Sequence, residues 1–174
     1  MLQGVEFRMV RVRVAGFAVA LLLWGLVPAQ AGETSGLPLP RFVSLKSDEV
    51  NLRAGPGVRY PIDWIYLRKD LPVEVVAEFE AWRKIRDWEG AEGWVHQSML
   101  SGRRMMVVIG GQPHVLRASD ADSADPVAQV APGALGRVVN CPRNRDFCRV
   151  ELNQTQGWLR RDQMWGVYKG EWLE

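Results

Sequence analysis

Three short signatures recur along this chain at a nearly constant spacing, and that recurrence restricts the fold more than any other feature. Leu52-Arg53-Ala54 returns as Leu116-Arg117-Ala118, and Gly93-Trp94-Val95 returns as Gly157-Trp158-Leu159, each 64 positions on. Pro61-Ile62 is matched with Pro126-Val127 at 65. A period of that length implies two stacked copies of one structural unit with small loop changes. Within each copy, short apolar alternations are interrupted by Gly and Pro, the pattern of a small all-β barrel rather than of helices.

In the first copy, Arg41–Leu45 reads as a strand and Lys46–Glu49 as a polar turn. Val50-Asn51-Leu52-Arg53 then leads into Gly55-Pro56-Gly57, which can take backbone angles closed to other residues. Ile62–Leu67, Val73–Phe79, Trp82–Trp88 and Glu92–His96 read as further strands, and Gln97–Leu100 as a short helical turn closing the barrel. In the second copy, Leu135–Asn140 and Phe147–Leu152 take the places of the Val73 and Trp82 strands. The Gly-Pro-Gly is lost there: Ala118-Ser119-Asp120 stands for Ala54-Gly55-Pro56, Phe147 for Trp82, and the loop Ser119–Asp125 is small and acidic. A ligand contact made by the first loop does not transfer to the second.

Residues 1–31 form a separate problem. Arg8, Arg11 and Arg13 precede the apolar run Val14–Val27, and Ala29-Gln30-Ala31 supplies an A-x-A motif. That order predicts a secretory signal peptide, helical in its apolar part and cleaved after Ala31. Fourteen apolar residues fall short of the roughly twenty that span a bilayer. Removing the leader takes away three Arg and Glu6, leaving the mature chain formally neutral. The basic balance of the precursor is then largely a targeting feature, and nothing clustered asks for nucleic acid. The expected order is signal peptide 1–31, an extended or flexible linker 32–40, a first barrel 41–102, a second 103–165 and a tail 166–174. Trp165 and Trp172 favour packing of that tail.

The ordered set Asn51-Leu52-Arg53, Gly55-Pro56, Pro61-Ile62, Val73-Glu74-Val75, Trp82 with Ile85, and Gly93-Trp94-Val95 resembles the bacterial SH3-like (SH3b) domain. The resemblance implies an all-β chain of two tandem SH3-like barrels behind a signal-peptide helix. It also implies an exported, periplasmic or secreted binding module, attached to the peptide part of peptidoglycan or to other cell-wall material. The alternative is an assembly factor that recognises an envelope protein through an exposed strand edge or an aromatic groove. Neither reading calls for a cofactor, a metal, nucleic acid, or a membrane once the leader is removed.

Cys141 and Cys148 flank the turn-rich Pro142–Asp146 between two adjacent strands, so an exported chain is expected to join them as a disulfide. Nothing asks for catalysis: there is no C-x-x-C spacing, and His96 and His114 stand at strand ends far from either cysteine. Trp94 and Trp158 are assigned to the core or to barrel closure. Trp82 and Ile85 are three apart on one strand, so an inward Ile85 puts Trp82 at the surface. Beside Tyr60, and together with Trp64 and Trp88, it is expected to form an aromatic groove edged by Arg53, Asp63 and Arg83. Two readings of these aromatics stand side by side: a peptide or glycan-peptide platform, and cover for a small core that needs large side chains.

Overall fold

A computed structural model describes residues 34–174. The leader, with Ala29 and Ala31 at its predicted cleavage site, lies outside the described residues. What is described is all-β, with two antiparallel sheets of seven strands each.

The first sheet comprises β1 (Arg41–Leu45), β2 (Val50–Arg53), β3 (Ile62–Tyr66), β4 (Pro72–Phe79), β5 (Trp82–Arg86), β6 (Glu92–His96) and β7 (Leu100–Ser101). The second comprises β8 (Met105–Val108), β9 (His114–Arg117), β10 (Pro126–Val130), β11 (Leu135–Asn140), β12 (Phe147–Leu152), β13 (Thr155–Arg160) and β14 (Met164–Trp165). The strand orders are β3-β2-β6-β5-β4-β1-β7 and β10-β9-β13-β12-β11-β8-β14, the same path taken twice. A 3-10 turn sits at the same point in each, Gln97–Met99 and Arg161–Gln163.

The repeat is more regular than the sequence match implies. Arg53 pairs with Ile62 and Arg117 with Pro126; Ala54 N donates to Pro61 O at 3.1 Å and Ala118 N to Asp125 O at 2.9 Å. Ile62 therefore corresponds to Pro126, and the spacing of 64 holds here too, correcting the match of Pro61 with Pro126. The two prolines misled because a proline fits either the loop exit or the first residue of an edge strand.

Each barrel has its own core. Leu45, Val50, Leu52, Tyr66, Val73, Val75, Ile85 and Val95 fill the first. Met106, Leu116, Val138, Val150, Leu152, Leu159 and both cysteines fill the second. Glycine decides one face in both. A Cβ on Gly93 would lie 2.6 Å from Leu52 Cγ, and one on Gly157 2.5 Å from Leu116 Cγ. These glycines face inward beneath a leucine, so alternation turns Trp94 and Trp158 to the outer face, where both are only half-buried. The core half of their assignment is thereby corrected; each pairs instead with the arginine that joins the neighbouring strand, Trp94 with Arg53 and Trp158 with Arg117.

The tail joins the barrels. Val167 enters the second core, and Leu173 exchanges backbone hydrogen bonds with Cys141. Tyr168 crosses to the first barrel, donating from its hydroxyl to Glu74 Oε1 at 2.8 Å. Phe42 on β1 is 6% exposed, covered edge-on by Trp165 at 5.1 Å and by Tyr168 at 4.5 Å between centroids. Trp172 remains 44% exposed, with the Arg143 guanidinium 4.1 Å from its ring centroid.

The segment ahead of β1 is pinned, unlike a free linker. Ser35 donates to Glu78 through its hydroxyl and its N–H, both at 2.6 Å, and Arg41 Nη2 does so at the same distance. Burial pushes the Glu78 carboxyl up, but these hydrogen bonds outweigh it and hold the group down at about 2, from an ordinary 4.5. A carboxylate depressed on folding stabilises the fold above its unfolded pKa and loses that contribution as pH falls towards the folded value. Between about pH 4.5 and 2, the acid loss of stability should be steeper in the native protein than in Glu78→Gln. Denaturant unfolding at stepped pH checks this; parallel curves would exclude Glu78 as a source.

Candidate functional site

The side chains that could meet a ligand are arranged around the Gly-Pro-Gly turn. Tyr60 folds back beneath it: a Cβ on Gly55 would lie 2.5 Å from the Tyr60 ring, so only glycine admits the aromatic there. Arg53 Nη1 donates to Val58 O at 3.2 Å and to Tyr60 O at 2.8 Å, tying the loop to β2. The loop is thus shaped from within, and Arg53 is spent on loop carbonyls rather than offered to a ligand. The same device recurs in the second barrel, where Arg117 Nη1 donates to Ala124 O at 3.0 Å.

Between this loop and the β4–β5 turn lies an open groove of about 590 Å³, lined by Pro56, Gly57, Val58, Arg59, Phe79, Glu80, Trp82 and His96. Trp82 and His96 face each other across β5 and β6, their rings edge to face at 5.5 Å. His96 Nδ1 lies 2.7 Å from Ser98 Oγ and 3.3 Å from Ser98 N, so Ser98 fixes the orientation of the ring. Val58 is 79% exposed and Phe79 45%. The groove therefore has apolar walls with one basic and one acidic side chain at its rim.

The expected residues do not all gather there. Trp82 lies in the groove and Ile85 is fully buried on the opposite face of β5, as alternation requires. Tyr60 supports the loop without lining the groove. Arg83 is a correction: it shares the inward face with Ile85, is 5% exposed, and donates to Glu80 O at 2.6 Å, Trp82 O at 2.9 Å and Gln97 Oε1 at 2.7 Å. It locks the β4–β5 turn. Trp88 packs against the first core, half-buried. Asp63 and Trp64 sit on β3, in a separate shallow concavity with Ile62 and Ile65. Sequence reasoning missed Val58, Phe79 and His96. The position of His96 at the end of a strand opposite Trp82 was the available signal.

The second barrel builds something else at the equivalent place. Phe147 pairs with Arg160 where Trp82 pairs with His96, and the Arg160 guanidinium lies 5.3 Å from the Phe147 centroid. The acidic loop closes on this spot: Asp122 meets Arg160 at 2.8 Å and Asp120 meets Arg145 at 3.3 Å. Buried Arg161 donates to the carbonyls of Pro142, Arg145 and Tyr168, holding the β11–β12 turn as Arg83 holds its counterpart. Cys141 and Cys148 complete that turn with a disulfide, their Cα atoms 4.3 Å apart and both side chains fully buried.

No curated protein matches this sequence. Among solved structures, the chain is similar to NlpC1 from Trichomonas vaginalis, at 13% identity over 83% of this chain and 51% of that one, with a TM-score of 0.33. It is also similar to NlpC2 from the same organism, at 12% identity over 75% and 48%, with a TM-score of 0.33. The chain spans about half the length of each. The family described as bacterial SH3 domain matches twice, over residues 46–102 and 111–166. Those two matches cover most of the chain, each spanning six of the seven strands of one sheet, so the protein belongs to the bacterial SH3 domain family and carries two tandem copies of the domain.

Proposed function

We propose that this protein is an exported, non-catalytic binding module of the cell envelope, and that its first barrel takes the peptide part of cell-wall material in the Trp82–His96 groove. The observation that carries the reading is the groove itself. It is open, walled by Trp82, Phe79 and Val58, and flanked by Arg59 and Glu80, which suits an extended peptide with small apolar side chains and charges of both signs. Family membership supports the envelope setting, and the disulfide and leader sequence support export. The corresponding place in the second barrel has Phe147 and Arg160 where the first has Trp82 and His96, and its arginines are engaged by Asp120 and Asp122, which favours the first.

Sedimentation with insoluble peptidoglycan sacculi tests this. The wild-type protein should pellet at low salt, and Trp82→Ala should weaken that association about tenfold, as loss of a central aromatic anchor does. Phe79→Ala should weaken it less. Wild-type protein that stays in the supernatant would end the cell-wall reading. A protein partner would then take its place, a reading that the exposed edge of β3 favours.

A further inference from the structure

We infer that Glu78 and Arg83 are positioning residues of the Trp82 groove, a buried cross-strand pair that fixes its aromatic walls as a disulfide fixes the equivalent turn of the second barrel. The two hairpins pair in the same register. Val75 faces Ile85 and Ala77 faces Lys84 across β4 and β5; Val138 faces Val150 and Asn140 faces Arg149 across β11 and β12. One step nearer the turn, the first hairpin sets Glu78 against Arg83 and the second sets Cys141 against Cys148. The next strand agrees, with Val95 opposite Arg83 and Leu159 opposite Cys148. An ion pair and a disulfide thus occupy one place in the fold.

Phe79 and Trp82 form the pair beyond it, the last of the hairpin. A hairpin end frays unless something holds it, and alternation puts Glu78 and Arg83 on the inner face, one residue behind the two aromatics. Their side chains are 2% and 6% exposed, with Arg83 Nε 3.2 Å from Glu78 Oε1. From that anchor the guanidinium reaches the carbonyls of Glu80 and Trp82 and the side chain of Gln97, the residue after His96. Gln97 N in turn donates to Ala81 O at 2.8 Å. Phe79, Trp82 and His96 therefore depend on one guanidinium whose place Glu78 sets, and Glu78 is itself held by Ser35 and Arg41. In the second barrel the bond replaces the ion pair, and Arg161, at the place of Gln97, reaches the turn carbonyls instead.

Exchanging one device for the other tests this. Glu78→Ser/Arg83→Ser removes the anchor, and Glu78→Cys/Arg83→Cys replaces it with a bond, its pairing mapped by mass spectrometry. In the serine variant, backbone NMR relaxation should report new mobility over residues 79–82, with β2 and β3 unchanged, and sacculus binding should weaken about fivefold. The oxidised cysteine variant should regain native order there and bind within about twofold of wild type. A pair that served stability alone would lower Tm and move neither reading. The binding arm rests on the groove being the cell-wall site, whereas the relaxation arm does not: wild-type protein that never pellets ends that reading, and residues 79–82 still decide this one. Native order over those residues in the serine variant, or a cross-linked cysteine variant as mobile as the serine one, would overturn the inference. If the serine variant does not fold, Gln97→Ala, at an exposed position, removes one acceptor of Arg83. It is read in the same way, mobility at 79–82 supporting the inference and native order overturning it.

Discussion

Gly166→Ala should destabilise the protein by about 3 kcal/mol, because it combines backbone strain with a clash that no rotamer relieves. Gly166 has φ of 127°, and a Cβ there would lie 2.3 Å from Met105 O and 2.9 Å from Met106 Cα. Both obstacles are main-chain atoms of β8, so relief requires moving a strand. The residue is also where the chain leaves β14 to cross towards the first barrel, and Arg104 Nη2 donates to its carbonyl at 2.8 Å. Gly102→Ala serves as the control: nothing lies within 4 Å of its added methyl, and its effect should stay within about 0.5 kcal/mol. Urea unfolding of the two variants gives the comparison. Equal midpoints would show that the β14 exit tolerates a side chain.

Removing the disulfide should have the next largest effect. The ring closed by Cys141 and Cys148 is small, with a sequence separation of 7, and the loop-entropy relation gives about 2 to 3 kcal/mol for it. For a chain of this size that is a fall in Tm of about 5 to 10 °C for the Cys141→Ala/Cys148→Ala variant. The damage should reach further than the turn, because Cys141 also holds Leu173 through N–H and carbonyl, at 2.8 and 3.1 Å. Hydrogen exchange at Leu173 should therefore rise in the variant while exchange in β4 and β5 stays near its native rate. Thiol titration of the unfolded, unreduced native protein should find no free thiol; two reactive thiols would refute the bond.

Much of this architecture was legible because strand alternation and the 64-residue repeat are both local signals. Leu135–Asn140 and Phe147–Leu152 emerge as β11 and β12, and the inward Ile85 with Trp82 on the far face follows from period two alone. The same rule applied once more sends Arg83 inward beside Ile85, yet charge makes that placement look unfavourable. It holds because three carbonyl-type oxygens and Glu78 receive the guanidinium. Trp94 and Trp158 misled for the opposite reason. A large aromatic suggests a core, and the glycine before it, which truly faces the core, has no side chain to announce the fact. The groove was half legible: Trp82 could be placed from its own strand, but Phe79 and His96 join it only through pairings across β4, β5 and β6. No local pattern showed that the tail would bridge the barrels.

That bridge imposes an order of events on the newly made chain. Phe42 belongs to the first strand synthesised in the fold, yet the rings that cover it, Trp165 and Tyr168, come at the end. Until residues 165–168 are in place, the first barrel carries an uncovered aromatic and a Glu74 without its Tyr168 hydroxyl. The first barrel can close its core early, but its outer surface stays unfinished until the tail arrives, so truncation from the C-terminus should injure the N-terminal barrel as well as its neighbour.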